Sequence, residues 1–174
     1  LPEQHEDDRF LFLSDVLPTA WQGLKYAALP DDGTLLVLGA GPIGDMVARM
    51  GVRAGHRVIS VDRVPERLER VRNFGAEALN LDDADQADSG VAAMVRDLTG
   101  DPIPMFQLFD KQIQVRMGQA NVRAWTDELL GMLTEDDPFG VDSFATHHLP
   151  LGEAPEAYRK FQKEDGMVKM VFKP

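Results

Sequence analysis

A glycine-rich hexapeptide, Gly39-Ala40-Gly41-Pro42-Ile43-Gly44, constrains this chain more than any other stretch. It directly follows the apolar run Leu35-Leu36-Val37-Leu38 and opens a helical pattern from Pro42 to Ala54. A second run of strand length, His56-Arg57-Val58-Ile59-Ser60-Val61-Asp62, ends in an acid. A G-x-G-x-x-G pattern alone says little. Between a strand and a helix, with an acid about 20 residues on, it is the dinucleotide-binding fingerprint. The alternative is a plain strand–turn–helix with no ligand.

The residue types suit a pyrophosphate. A helix start offers unpaired N–H groups and roughly half a positive charge. Gly39 suits the tight turn, Gly41 lets phosphates approach the backbone, and Gly44 lets the helix lie close to the sheet. Pro42 stands near the first helical position, where its missing N–H costs little. Ile43, Met46, Val47 and Met50 form one apolar stripe, and Gly55 ends the helix. Asp62 falls where it would accept the two hydroxyls of a ribose, and its charge would repel a 2′-phosphate, so NAD is expected rather than NADP. Arg63 leaves three readings open: a partner for a 2′-phosphate, a stacking surface for adenine, or a solvated charge.

Composition narrows the classes. A chain of 174 residues suits one domain or slightly more, and 44% hydrophobic with 27% charged residues is ordinary for a globular fold. A net charge of −11 argues against a nucleic-acid backbone or an anionic membrane as partner. No apolar run is long enough to span a bilayer and no secretory leader is visible; a cytoplasmic location is expected from the absence of cysteine. Cysteine is absent, which removes disulfides, thiol nucleophiles and thiolate metal sites.

The expected architecture is α/β: a Rossmann-like parallel sheet with helices on both faces, incomplete because fourth and fifth strands are not found. Residues 1–30 read as a linker and helix, with Phe10 to Leu29 apolar, Ser14, Asp15 and Pro18 marking the helix start and its end near Ala28; residues 31–140 read as the dinucleotide-binding domain; residues 141–174 read as a C-terminal segment. Within these, helices are expected over Val64–Phe74, Val91–Leu98, Val122–Leu133 and Ala154–Gln162. Strands are expected at Ala78–Leu81, Gln112–Met117, Phe144–Leu149 and Val168–Lys173, with an acidic loop from Asp82 to Ser89. The strand–helix alternation breaks at Gly100–Asp101, where Asp101-Pro102-Ile103-Pro104 cannot form a central strand.

Five segments together resemble the medium-chain, zinc-type alcohol dehydrogenase superfamily. They are Phe12–Thr19, Gly39–Gly44, Val61–Leu68, Gln114–Asn121 and Thr146–Leu151. The nearest likeness is to its glutathione-independent formaldehyde dehydrogenase-like branch. Nothing in the chain matches the family's amino-terminal catalytic domain or its second Rossmann half.

The resemblance implies an NAD-dependent oxidoreductase moving hydride between a small alcohol or aldehyde and the nicotinamide, with zinc in an intact parent and a homo-oligomeric assembly. It implies that Asp15 is a zinc ligand in that parent; the rival reading is that Ser14 or Asp15 caps the following helix. It places Thr19 near the nicotinamide, Lys169 at the pyrophosphate and Arg67 at the adenosine end. Each has a plainer reading: a helix threonine, a solvated lysine and an exposed helix arginine. It also places Gln112–Met117 near an edge used in dimerisation. His147 and His148 are neighbours on a strand, so they point to opposite faces and cannot share one site. Trp21 and Trp125 read as core. The alternatives in function are a non-catalytic dinucleotide-binding module and a zinc-free reductase of the same superfamily.

Overall fold

A computed structural model describes residues 7–84, 118–161, 163 and 166–174. The expected helix at Val91–Leu98, the strand at Gln112–Met117 and the break at Gly100–Asp101 lie outside the described residues.

The chain is a mixed α/β fold carrying part of a parallel sheet. Strands β1 (Thr34–Leu38), β2 (Arg57–Asp62) and β3 (Glu77–Asn80) pair in parallel in the order β1-β2-β3. Leu36 sits opposite Ile59, and Val61 opposite Leu79. Helices α2 (Pro42–Arg53) and α3 (Pro65–Asn73) make the crossovers. They cover one sheet face, where Val37 and Val58 pack with Ala48, Val71 and Ala76. On the opposite face Leu36, Leu38 and Leu79 are 39%, 44% and 45% exposed.

Helix α2 is buried on two flanks, not along the single stripe its sequence suggests. Ala48 faces the sheet, whereas Met46 and Met50 face helix α1 (Val16–Ala27) and the long helix α5 (Val122–Glu135), which among the described residues comes after the single turn α4 (Leu81–Ala84). A Cβ on Gly51 would stand 2.9 Å from Val58 Cγ2 and 3.0 Å from Leu35 Cδ2. That helix therefore lies against the strands through bare backbone.

The helix expected to start at Ser14–Pro18 and to end near Ala28 is α1, Val16–Ala27. A 3₁₀ stretch, Asp7–Ser14, precedes α1, and Asp15 (φ −157°, ψ −65°) separates them. Ala28 is left-handed at φ 46°, and the residue before Pro30 is disfavoured in a helix. Trp21 is buried and Trp125 half-buried. Trp21 Nε1 donates to Glu128 Oε2 at 2.9 Å, and Trp125 Nε1 to Gln22 Oε1 at 3.1 Å. A second sheet pairs β4 (His147–Pro150) in parallel with β5 (Met170–Lys173) across helix α6 (Ala154–Phe161).

Arg57 and Glu77 form a two-pronged bond across β2 and β3, at 2.6 and 2.9 Å. That bond holds the Glu77 carboxyl below its ordinary range. A depressed folded-state value means the pair contributes above the unfolded glutamate value and loses its contribution as pH falls through the folded one. The window therefore lies just below ordinary glutamate titration. Both groups face solvent, so the effect is small and salt-sensitive. Carboxyl chemical shifts should place the Glu77 midpoint below that of a free glutamate, and Arg57→Gln should return it. An unmoved midpoint in the variant contradicts the pairing.

Candidate functional site

The site is built where β1 turns into α2. Gly39 has φ 90°, a left-handed conformation that side chains rarely adopt, and its N–H donates to Val61 O at 2.8 Å. Gly41 is the N-cap of α2 and brings no side chain over the first turn, where an α-helix leaves its N–H groups without internal acceptors. Pro42 takes N1, so the first-turn donors there are the amides of Ile43 and Gly44. A Cβ on Gly41 would meet nothing within 4 Å, so the backbone is open to a ligand. A Cβ on Gly44 would lie 1.8 Å from Gly39 O, so only glycine closes this turn.

Asp62, at the end of β2, comes to the same place. Its Oδ2 accepts from Ala40 N at 2.6 Å, and its Oδ1 from Arg63 N at 2.7 Å and Val64 N at 2.9 Å. Arg67 Nη1 stands 3.9 Å from Asp62 Oδ2, and Arg67 Nε is buried with no hydrogen-bond partner. Arg63 is exposed, with its Nε 3.6 Å from Asp82 Oδ1. The structure thus gathers Gly39, Gly41, Pro42, Ile43, Gly44, Asp62 and Arg67 around one turn.

The other expected site residues lie elsewhere. Thr19 Oγ1 donates to Asp15 Oδ1 at 3.1 Å on α1. Capping of α1 by a side chain is not observed: Asp15 holds the N-cap position without a cap bond, and Ser14 Oγ donates to Leu11 O at 2.9 Å. The third helical residue is Pro18, which has no N–H to donate such a bond. Lys169 precedes β5, on the sheet separate from β1–β3, with its carbonyl accepting from Thr146 N at 2.9 Å. His147 Nδ1 lies 3.0 Å from Thr146 Oγ1, whereas His148 Nε2 lies 3.4 Å from Asp8 Oδ2, so the two histidines have separate surroundings.

A buried ionic cluster stands directly beside the turn. Asp45, in the first turn of α2, is 1% exposed and takes both Arg49 Nε at 3.0 Å and Arg49 Nη2 at 2.8 Å. Arg70 Nη2 reaches the same carboxylate at 3.1 Å. Arg49 Nη1 also donates to the carbonyls of Phe139 and Gly140, each at 3.0 Å. Its guanidinium lies 3.7 Å from the centre of the Phe74 ring. Burial pulls Arg49 below its ordinary value, against the pull of Asp45. Two arginines outweigh one carboxylate here, so the helix start does not present net negative charge to an anion. The periodicity reading missed these residues; the Asp45–Arg49 spacing of i,i+4 was the available signal.

A cavity of 320 Å³ lined by Trp21, Met50, Arg53, Ala54, Met132 and Phe139 lies at the C-terminal end of α2. Twelve helical residues span roughly 18 Å, so it is remote from the glycine turn.

Comparison with known proteins follows the same lines. No family model matches the chain. It is 26% identical, over 95% of its length, to a Mycobacterium tuberculosis protein named as a probable zinc-binding alcohol dehydrogenase, and covers 52% of that protein. That alignment runs over 199 positions, more than the chain has residues, so the relative carries stretches with no counterpart here. A glutathione-independent formaldehyde dehydrogenase of Bacillus subtilis is 30% identical over 91 residues, 52% of the chain and 21% of the relative. Among solved structures, an alcohol dehydrogenase from Thermus sp. ATN1 superposes with a TM-score of 0.83 at 26% identity, over 99% of this chain and 62% of that one. The chain is a relative of the zinc-type alcohol dehydrogenases of the medium-chain superfamily. It spans about half the length of the first of these curated relatives.

Proposed function

We propose that this chain is the cofactor-binding part of an NAD-dependent oxidoreductase. The full enzyme would transfer hydride between a small alcohol or aldehyde and the nicotinamide. The observation that carries this reading is the glycine turn itself, with Asp62 held 2.6 Å from Ala40 N beside an uncapped helix start. The residues fit a dinucleotide: bare backbone at Gly41, N–H donors at Ile43 and Gly44, and an acid and an arginine at the sugar end. Bound NAD supplies the hydride acceptor. Residues 31–140 would hold it, residues 1–30 would lead in from a catalytic portion and residues 141–174 would return to it. The formaldehyde dehydrogenase-like branch and a homo-oligomeric assembly belong to this proposal.

The donors do not make a zinc site. Asp15 is one exposed carboxylate bonded to Thr19, and among the described residues no group of three His, Cys, Asp or Glu is placed to hold a metal. A catalytic zinc needs three protein ligands. In this reading Asp15 contributes one ligand in an intact parent, and Thr19 and Lys169 approach the cofactor only there.

Calorimetric titration with ADP, which carries the adenosine–pyrophosphate half of the cofactor, tests the reading. Saturable binding is expected, with NADH fluorescence changing on addition of the chain. No heat and no fluorescence change would refute it.

A further inference from the structure

Asp62 bonds differently from the role its position suggests. A carboxylate offers about four acceptor positions on its two oxygens. Three already hold backbone N–H groups: Arg63 and Val64 on Oδ1, and Ala40 on Oδ2. Oδ1 is therefore full. Oδ2 keeps one position, on an oxygen that Arg67 Nη1 approaches to 3.9 Å. So arranged, the carboxylate can take one ribose hydroxyl but not embrace two.

What the carboxylate does hold is the middle of the glycine turn. Ala40 stands between Gly39 and Gly41, the two residues of the turn with the widest conformational choice. A turn so composed has little preference of its own for one shape. Two successive amides are nevertheless tied to the end of β2: Gly39 N–H to Val61 O at 2.8 Å, and Ala40 N–H to Asp62 Oδ2 at 2.6 Å. The second bond ends on an ionised oxygen and belongs to the stronger, charge-assisted kind. Its amides at Arg63 and Val64 hold the same carboxylate from below, so it cannot swing away from the turn without breaking three bonds.

We propose that Asp62 is a positioning residue for the phosphate-receiving turn. Through Ala40 N–H it holds the turn in the shape that accepts a pyrophosphate, and this contribution to cofactor binding does not depend on the ribose hydroxyls. Recognition of the sugar is a lesser task, carried by the single open position on Oδ2. The inference rests on the dinucleotide-binding reading above, and its test separates the two.

ADP and 2′,3′-dideoxy-ADP are titrated into the native chain and into Asp62→Asn. The variant keeps one acceptor oxygen but loses the charge and one oxygen. Both ligands should bind the variant more weakly, by about tenfold for the one charge-assisted bond to Ala40, with any further loss confined to ADP smaller than this shared factor. A penalty seen with ADP and absent with the dideoxy ligand means that Asp62 reads the hydroxyls, and overturns the proposal. An unchanged affinity for both ligands also overturns it. Failure of the native chain to bind ADP refutes the dinucleotide-binding reading instead. In that case, and if Asp62→Asn does not fold, amide hydrogen exchange of the native chain still decides the clasp: Ala40 N–H must be protected to the level of Gly39 N–H. Rapid exchange at Ala40 beside a protected Gly39 overturns the proposal. Where the variant folds, Ala40 should lose protection while Gly39 keeps it, a local readout that a general loss of stability would not give.

Discussion

Gly44→Ala will unfold this chain more readily than the loss of any surface contact. The added methyl would stand 1.8 Å from Gly39 O and 2.9 Å from Gly39 C, both backbone atoms that cannot rotate aside. Either α2 moves away from the sheet or the turn opens. Overpacking of this kind costs about 3 kcal/mol, and for a chain of this size that lowers Tm by roughly 6–12 °C. ADP binding should fall with it, because the first-turn amides move with the helix. Gly41→Ala gives the contrast. Its methyl would meet nothing within 4 Å, and its φ of −68° suits any residue. That variant should fold within about 0.5 kcal/mol of the native chain and still lose ADP affinity, since the methyl occupies the space left for the phosphates. Thermal melts and calorimetry on the two variants check the pair. A Gly44→Ala chain as stable as the native one would contradict the close approach of α2 to the turn.

Arg49→Met should be comparably severe for a different reason. Arg49 is 3% exposed, and its guanidinium is held by Asp45, by two carbonyls and by the face of Phe74. Removing it leaves a buried carboxylate with only Arg70, and leaves the carbonyls of Phe139 and Gly140 without that donor. Breaking one side of a buried ion pair costs about 3–5 kcal/mol. The double variant Asp45→Leu/Arg49→Met should recover much of that loss, because no charge is then stranded; Arg70 is partly exposed and can turn to water. Urea unfolding of the single and double variants measures the coupling. A loss below about 1 kcal/mol in Arg49→Met would show that the cluster is not the fastening described. The contact matters because it joins α2, which starts at the glycine turn, to the loop after α5.

The strand–turn–helix core was legible in the sequence because each signal there is local. Gly39, Gly41 and Gly44 stand between an apolar strand run and a helical pattern, the context in which that spacing marks a turn into a helix. Val58 to Asp62 is part of a β-branched run of strand length that ends in an acid. Helix α3 was bounded correctly by Pro65 and Gly75 for the same reason. The start of α1 near Asp15 was legible, but the cap bond expected there is not formed; capping was judged from residue type alone, and Pro18 takes away one of the two N–H groups a cap can bond. The Asp45–Arg49–Arg70 cluster was not legible as a unit. Asp45 and Arg49 share a helix, but Arg70, Phe74 and Gly140 join them only through tertiary packing. The same limit applied to Asp62, whose position pointed to a sugar while its bonds run to the turn; no spacing rule reveals that a carboxylate is already occupied.

The leucines at positions 36, 38 and 79 give the outer face of the first sheet a greasy character that has a practical side. Uncovered aliphatic surface attracts its like, and the net charge of −11 opposes that attraction by mutual repulsion among surplus carboxylates. Buffers rich in electrolyte, or acidic enough to neutralise those carboxylates, remove that protection, so dilute, mildly alkaline conditions are the ones in which this polypeptide will stay dispersed.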